Sequence, residues 1–174
     1  RYDDLSRSLT NNGLNWKVEE DSSIKGQRPF ELISPPLKKQ AGLKQVIEAC
    51  AILKSHDAQV NDSCGFHVHI DIDGLSFEQI KNILISYTQY EEVIDSLVDP
   101  SRRDSKNRYC RTIKGKPQWL EIIKSINTVS ELCSYPDSPF YSRYCKLNVR
   151  SIALHHTIEF RQHHGTTKFE DLLY

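Results

Sequence analysis

The strongest constraint on this chain is the run Cys64-Gly65-Phe66-His67-Val68-His69-Ile70-Asp71-Ile72-Asp73-Gly74. Apolar and polar residues alternate between glycines, which predicts a β-strand. Successive side chains of a strand point to opposite faces. Phe66, Val68, Ile70 and Ile72 then share a core face, and His67, His69 and Asp71 share the other. Two imidazoles and a carboxylate in one line read as a place that handles a metal or a proton. The plainer alternative is a solvated face that happens to hold two histidines.

A second line of the same kind lies near the end. Thr157 to His163 predicts a strand with Ile158 and Phe160 on one face and Thr157, Glu159, Arg161 and His163 on the other. As an exposed pair, Glu159 and Arg161 would contribute little. Beside the first line they read as a cation ligand next to an anion ligand. Phe30 to Ser34 is a short strand stopped by Pro35-Pro36, and Glu31 sits inside it between Phe30 and Leu32. A carboxylate there faces either water or a cation. Hard oxygens from Glu31 and Glu159 with one imidazole suit Mg²⁺ or Mn²⁺ that also touches phosphate oxygens. No P-loop, serine elbow or zincin motif is present, so the expectation is metal-assisted phosphoryl chemistry.

The rest of the chain supplies the frame. Tyr2 to Leu9 reads as a helix closed by Asn11-Asn12-Gly13, and Leu14 to Glu20 as a strand. Leu43, Val46, Ile47, Cys50 and Leu53 recur at helical spacing after Gly42. Ser76 with Gln79 forms a capping box. The stripe Phe77, Ile80, Ile83, Leu84, Tyr87, Ile94 and Leu97 then predicts a long helix facing the core, stopped at Asp99-Pro100. Ser101 to Gly115 is a basic loop holding Arg102, Arg103, Lys106, Arg108, Arg111 and Lys114, with Lys116 just beyond. Most of it is expected to be solvated, with the capacity to close over a polyphosphate. Pro117 opens a third helix. Arg143 to Arg150 is a strand, Ser151 to His155 a turn or bulge, and a last helix begins near Lys168 and is cut off at Tyr174.

Length and charge exclude little. The 174 residues amount to a single domain, 1–174. Acidic and basic residues balance at 23 each, and no basic block marks a nucleic-acid partner. No apolar run is long enough for a bilayer, so no membrane partner is expected. Five cysteines with no C-x-x-C read as free thiols in a reducing compartment, the cytoplasm. The chain lacks Met and starts at Arg1, which reads as a processed chain or a fragment truncated at its N-terminus.

Taken in order, Trp16 with Asp21-Ser22, Glu31-Leu32-Ile33-Ser34-Pro35, Cys64 to Asp71, Tyr144 with Leu147-Asn148, and Thr157-Ile158-Glu159-Phe160-Arg161 resemble the amidoligase family. That family belongs to the carboxylate–amine ligases of the glutamine synthetase and glutamate–cysteine ligase type. The resemblance runs from about Leu14 to Thr166, and the Gly-x-His-x-His and Glu-x-Arg strands are its specific parts. It implies an α+β fold with a curved antiparallel sheet flanked by helices. It implies ATP-dependent amide formation through an acyl phosphate, joining a small-molecule or peptide carboxylate to an amine donor. Carried over, Glu31, His67 and Glu159 match metal ligands, and His69 matches the histidine nearer the nucleotide phosphate. Arg161 matches the arginine that stabilises the transferred phosphoryl group, and Arg102 or Arg103 a further phosphate-binding arginine. Asp21, Asp71 and Asn148 match the pattern without an assigned role.

The family opens with a strand carrying two acidic residues one apart, and nothing like it precedes Glu19-Glu20-Asp21. Three classes of function therefore stand: the ligase, a zinc or binuclear hydrolase using His67-x-His69, and an inactive binding module of the same family.

Overall fold

The structure is a computed structural model that describes residues 2–103, 107–114, 118–135 and 138–172. The expected helix start at Pro117 and the basic residues Lys106 and Lys116 lie outside the described residues. The elements run α1 (Tyr2–Asn11), β1 (Lys17–Glu20), β2 (Phe30–Ile33), α2 (Lys39–Ser55), β3 (Gly65–Asp71), α3 (Phe77–Leu97), α4 (Trp119–Ser125), α5 (Val129–Ser134), β4 (Leu147–Asn148), α6 (Ser151–His155) and β5 (Thr157–His164). Short 3₁₀ turns cover Pro100–Arg102, Pro139–Tyr141 and Phe169–Leu172. Among the described residues this is a mixed α/β chain with two small antiparallel sheets and six α-helices.

Contacts divide the chain into two compact units. One takes the residues up to Cys64 together with those from Gly165 on. Its sheet pairs β1 with β2, and Leu5, Leu9, Leu14, Ala49 and Ile52 form its core. Gly13, at φ +76°, ends α1 in the left-handed region that glycine tolerates, and Leu14 N–H bonds the Leu9 carbonyl. The strand expected from Leu14 is shorter, because Leu14 is spent on the core beside α1. Helix α2 begins at Lys39, ahead of the expected start after Gly42, so that glycine lies inside it.

The other unit, Gly65–His164, holds the sheet β3-β5-β4 with β5 in the middle. Helix α3 packs its Ile80, Leu84 and Tyr87 with Leu147, Val149 and Ile158 of the sheet side. The capping box at Ser76 is formed, with the Gln79 N–H on Ser76 Oγ and Gln79 Oε1 on the Ser76 N–H. The apolar stripe does not stay in the core to its end, since Leu97 is 67% exposed. On β3 the core face is also imperfect, with Ile70 49% exposed on an outer strand. Three local readings change here. Ser151–His155 is a helical turn rather than an open one, α5 is an addition to the expected elements, and the Arg143–Arg150 strand shrinks to Leu147–Asn148. The last expected helix is only the 3₁₀ turn Phe169–Leu172.

Beneath β5, on the α3 side, lies a buried ion network. The Lys146 ammonium, 0% exposed, sits 2.9 Å from Glu91 Oε1 and 2.7 Å from Asp95 Oδ2. Glu91 also accepts the N–H groups of Ile113 and Lys114, both at 2.9 Å, and the Thr112 hydroxyl. The Gln162 amide donates to Asp95 Oδ1, and the Tyr87 hydroxyl donates to Gln162 Oε1. A buried charge persists only when paired and hydrogen-bonded, and every charge of this network is. All five cysteines are free thiols. Burial pushes the Cys145 thiol up to about 12 and raises Cys50, Cys110 and Cys133 from their ordinary value.

Replacing Lys146 by Met keeps the volume and leaves Glu91 and Asp95 without their cation. The expected loss is about 3–5 kcal/mol of unfolding free energy, the scale for breaking a buried pair, read from urea unfolding. A loss under about 1 kcal/mol, the scale of an exposed pair, would show that water reaches the network.

Candidate functional site

Strand pairing builds the site. His69 lies directly opposite Glu159, and Asn148 of β4 lies opposite Glu159 from the other side. Directly opposed side chains share a face. Three strands thus bring an imidazole, a carboxylate and an amide to one level. The register then breaks between Phe66 and Val68, which pair with His163 and Phe160. Both Arg161 and Gln162 therefore lie opposite His67, a β-bulge on β5. The bulge swings Arg161 toward His67 and sends Gln162 to the ion network on the α3 side. It also removes His163 from the line with Glu159 and Arg161. His163 instead meets Phe66 edge to face at 5.7 Å.

The Glu159 carboxylate is 5% exposed, and its two oxygens do different things. Oε2 accepts the Asn148 Nδ2–H at 2.6 Å. Oε1 accepts the Arg161 Nη1–H at 2.5 Å and faces His67 Nδ1 at 3.4 Å and His69 Nε2 at 3.6 Å. Asn148 cannot flip, because its Oδ1 accepts the Arg150 N–H at 2.9 Å. A turned amide would set two acceptors against each other. Ser151 Oγ donates across the Asn148 and Thr157 carbonyls at 2.9 and 2.6 Å, closing the β4–α6–β5 connection. Thr157 Oγ1 holds His69 Nδ1 at 2.8 Å.

Electrostatics follows from this crowding. Burial is the largest cause holding the His67 imidazole far below its usual range, at about 4, and Arg161 adds to it while Glu159 opposes it. Burial likewise lowers His69, against the pull of Glu159. For Glu159, burial works to raise the carboxyl, but Arg161, the Asn148 hydrogen bond and the two imidazoles outweigh it and hold it below the ordinary value. At neutral pH the site is an ionised carboxylate between a guanidinium and two neutral imidazoles.

Of the expected residues, His67, His69, Glu159 and Arg161 are brought together. Arg102 joins them from behind: it is 2% exposed, not solvated, and its Nη2 donates to the Arg161 carbonyl at 2.5 Å. A Cβ on Gly65 would stand 2.8 Å from His67 Nε2 and 3.0 Å from Arg102 Nη2, so a larger residue there would push both side-chain ends aside. Arg103 is not part of the group; its Nε and Nη2 bond the Val98 carbonyl at the end of α3. Glu31 belongs to the other unit, where it is exposed on β2 and stands opposite Glu19. Asn148 had no expected role and proves to hold Glu159. Nothing in the residues around Asn148 signals that role, and only the pairing of β4 with β5 reveals it.

Among the described residues no group of three His, Cys, Asp or Glu is arranged to hold a metal ion. A catalytic zinc asks for three protein ligands, and that set is not found there. Mg²⁺ asks for less, since it keeps waters and takes phosphate oxygens beside one or two carboxylates. Glu159 supplies one carboxylate of that kind, with the neutral His67 imidazole beside it.

Stability should register the buried imidazole. His67 is lowered in the folded state, so the unfolded chain takes up a proton first as pH falls. Its contribution is complete above about pH 6.5 and is lost progressively between that value and about 4. Denaturant unfolding should therefore weaken from pH 7.5 to pH 5, and His67→Gln should flatten that slope. An unchanged slope in the variant would assign the pH effect elsewhere.

Residues 2–172 match the protein family described as "putative amidoligase enzyme". No curated protein and no solved structure matches the chain. The match covers nearly every residue and includes both site strands, and its description supports an enzyme with a ligase-type function. The chain belongs to the amidoligase family.

Proposed function

We propose that this chain is an ATP-dependent carboxylate–amine ligase acting through an acyl phosphate. One observation carries the reading. Arg161 Nε is buried and has no hydrogen-bond partner among the described residues, although Nη1 is bound to Glu159. A buried guanidinium with an unanswered donor is suited to an anion that arrives later. In this reading the substrate carboxylate attacks the γ-phosphorus of ATP, and the bond to ADP breaks. The amine then attacks the acyl carbon, phosphate leaves, and the amine gives up a proton.

Arg161 meets charge building on the transferred phosphoryl oxygens, where a fixed donor stabilises most. Arg102 braces the Arg161 backbone and adds positive potential. His69, neutral and held at Nδ1 by Thr157, turns its other ring nitrogen toward the site. Mg²⁺ or Mn²⁺ would be held by His67 and Glu159 and would neutralise nucleotide charge when bound; the resemblance adds Glu31 as a ligand by its place in the sequence alone. The curved antiparallel sheet of the glutamine synthetase type and a cytoplasmic setting belong to this proposal as well. Among the described residues no helix is long and apolar enough to cross a membrane. The closed Glu159–Arg161 pair favours one rival, an inactive binding module in which that pair is only structural.

Arg161→Lys separates the two. It keeps the charge but loses the planar fork. ATP-dependent phosphate release with a supplied acid and amine should fall about 10²-fold or more, the scale for a lost transition-state donor, with folding unchanged. Normal turnover would make Arg161 a structural partner of Glu159. Mg·ATP at millimolar concentration should also raise the melting temperature of the wild-type chain by ligand linkage; no shift would favour the inactive module.

A further inference from the structure

The basic segment after Ser101 is the sequence motif that the ligation chemistry leaves unused. Arg102 and Arg103 bond backbone carbonyls, and Lys114 pairs with Glu92. Arg108 and Arg111 stay exposed, as does Arg143 on the neighbouring stretch. Two of them are mounted on aromatic rings. The Arg108 guanidinium lies 4.6 Å from the Tyr109 ring centre, and that of Arg143 lies 4.9 Å from the Tyr144 ring centre. The tyrosines meet edge to face at 5.3 Å. Each arginine also donates to its tyrosine hydroxyl, at 2.5 and 2.9 Å. Four side chains thus form one ladder, with a guanidinium at either end.

Arg111 is joined to the second pair through its backbone. Its N–H bonds the Tyr144 carbonyl, and its carbonyl accepts the Lys146 N–H. The Lys146 carbonyl in turn accepts the Arg161 N–H at 2.8 Å. The ladder is therefore tied to the site strand by an unbroken run of backbone hydrogen bonds. Guanidiniums fixed over rings lose less freedom on binding than loose ones. Carboxylates and phosphates both match their forks. Single-stranded nucleic acid fits less well, because bases stack on open aromatic faces, and here each tyrosine has a face covered by arginine and the two rings are packed edge to face against each other.

We propose that the Arg108–Tyr109–Tyr144–Arg143 ladder, with Arg111, docks an acidic stretch of polypeptide that presents one of its carboxylates to the site. This rests on the ligase reading for its purpose and narrows the substrate to a peptide bearing several Glu or Asp side chains. The binding itself needs no nucleotide, so it can be read separately. The test is fluorescence anisotropy of labelled octaglutamate without ATP, beside octaglutamine and an eight-base oligo-dT of equal label. Octaglutamate should bind, and more weakly as salt rises. Octaglutamine should not bind, and oligo-dT should bind less tightly than octaglutamate. The triple variant Arg108→Gln/Arg111→Gln/Arg143→Gln should lose about tenfold or more of the affinity, the scale of one charge-assisted contact or more. Circular dichroism checks its folding, and Arg111→Gln alone is read, with a smaller loss expected, if the triple variant unfolds. Equal binding of octaglutamine, tighter binding of oligo-dT, or unchanged affinity in the folded variants would overturn the proposal. Peptide binding without phosphate release from any acid would overturn the ligase reading and leave the docking surface standing.

Discussion

A lysine ammonium sealed from water is tolerable only where carboxylates meet it at hydrogen-bond distance, and Lys146 has two. Glu91 and Asp95 are one helical turn apart on α3, so both reach the same point beneath the sheet. The segment that carries Lys146 then has one height and one register against α3. Because the Lys146 carbonyl accepts the Arg161 N–H, the same clamp sets the strand that carries Arg161. Gln162 is drawn to Asp95 on the far face while Arg161 turns to the near one. The bulge that aims Arg161 at His67 is thus held from below by charge and from above by the Glu159 carboxylate.

Division of labour on a single carboxylate is the second organising fact. Asn148 occupies one oxygen of Glu159 and leaves the other to Arg161 and the imidazoles. Arg161 and the Asn148 hydrogen bond hold Glu159 ionised against its burial, and burial keeps both histidines neutral against the pull of Glu159. Neutral imidazoles can offer a lone pair, and an ionised carboxylate can meet a cation. The proposed phosphate and metal chemistry would use the site in that state at neutral pH.

The two site strands are legible in the sequence because alternation is a local property. His67, His69, Glu159 and Arg161 fall on polar faces whatever surrounds them, and the pairing of β3 with β5 then brings them together. The bulge is not legible, since one extra residue in β5 changes no pattern within β5 itself, and it moves His163 off the expected line. The burial of Arg102 is hidden for a related reason: its partner is a backbone carbonyl far along the chain. The ion network leaves a faint trace. Glu91 and Asp95 sit four apart on a helix whose stripe includes Tyr87 and Ile94, and acids at that spacing beside an apolar face ask for a buried cation. The short helix α6 leaves none, because five residues carry too little periodicity to register.

The cysteines give the fold a reporter of its own. A thiol reacts as its thiolate, and burial denies Cys145 and Cys110 that form while the chain is folded. Both lie within the unit that carries the site, and Cys110 donates from Sγ to the Arg161 carbonyl. Alkylation of these two positions therefore tracks the opening of the layer beneath the site, without any added label, and so measures how often the bulge around Arg161 comes apart.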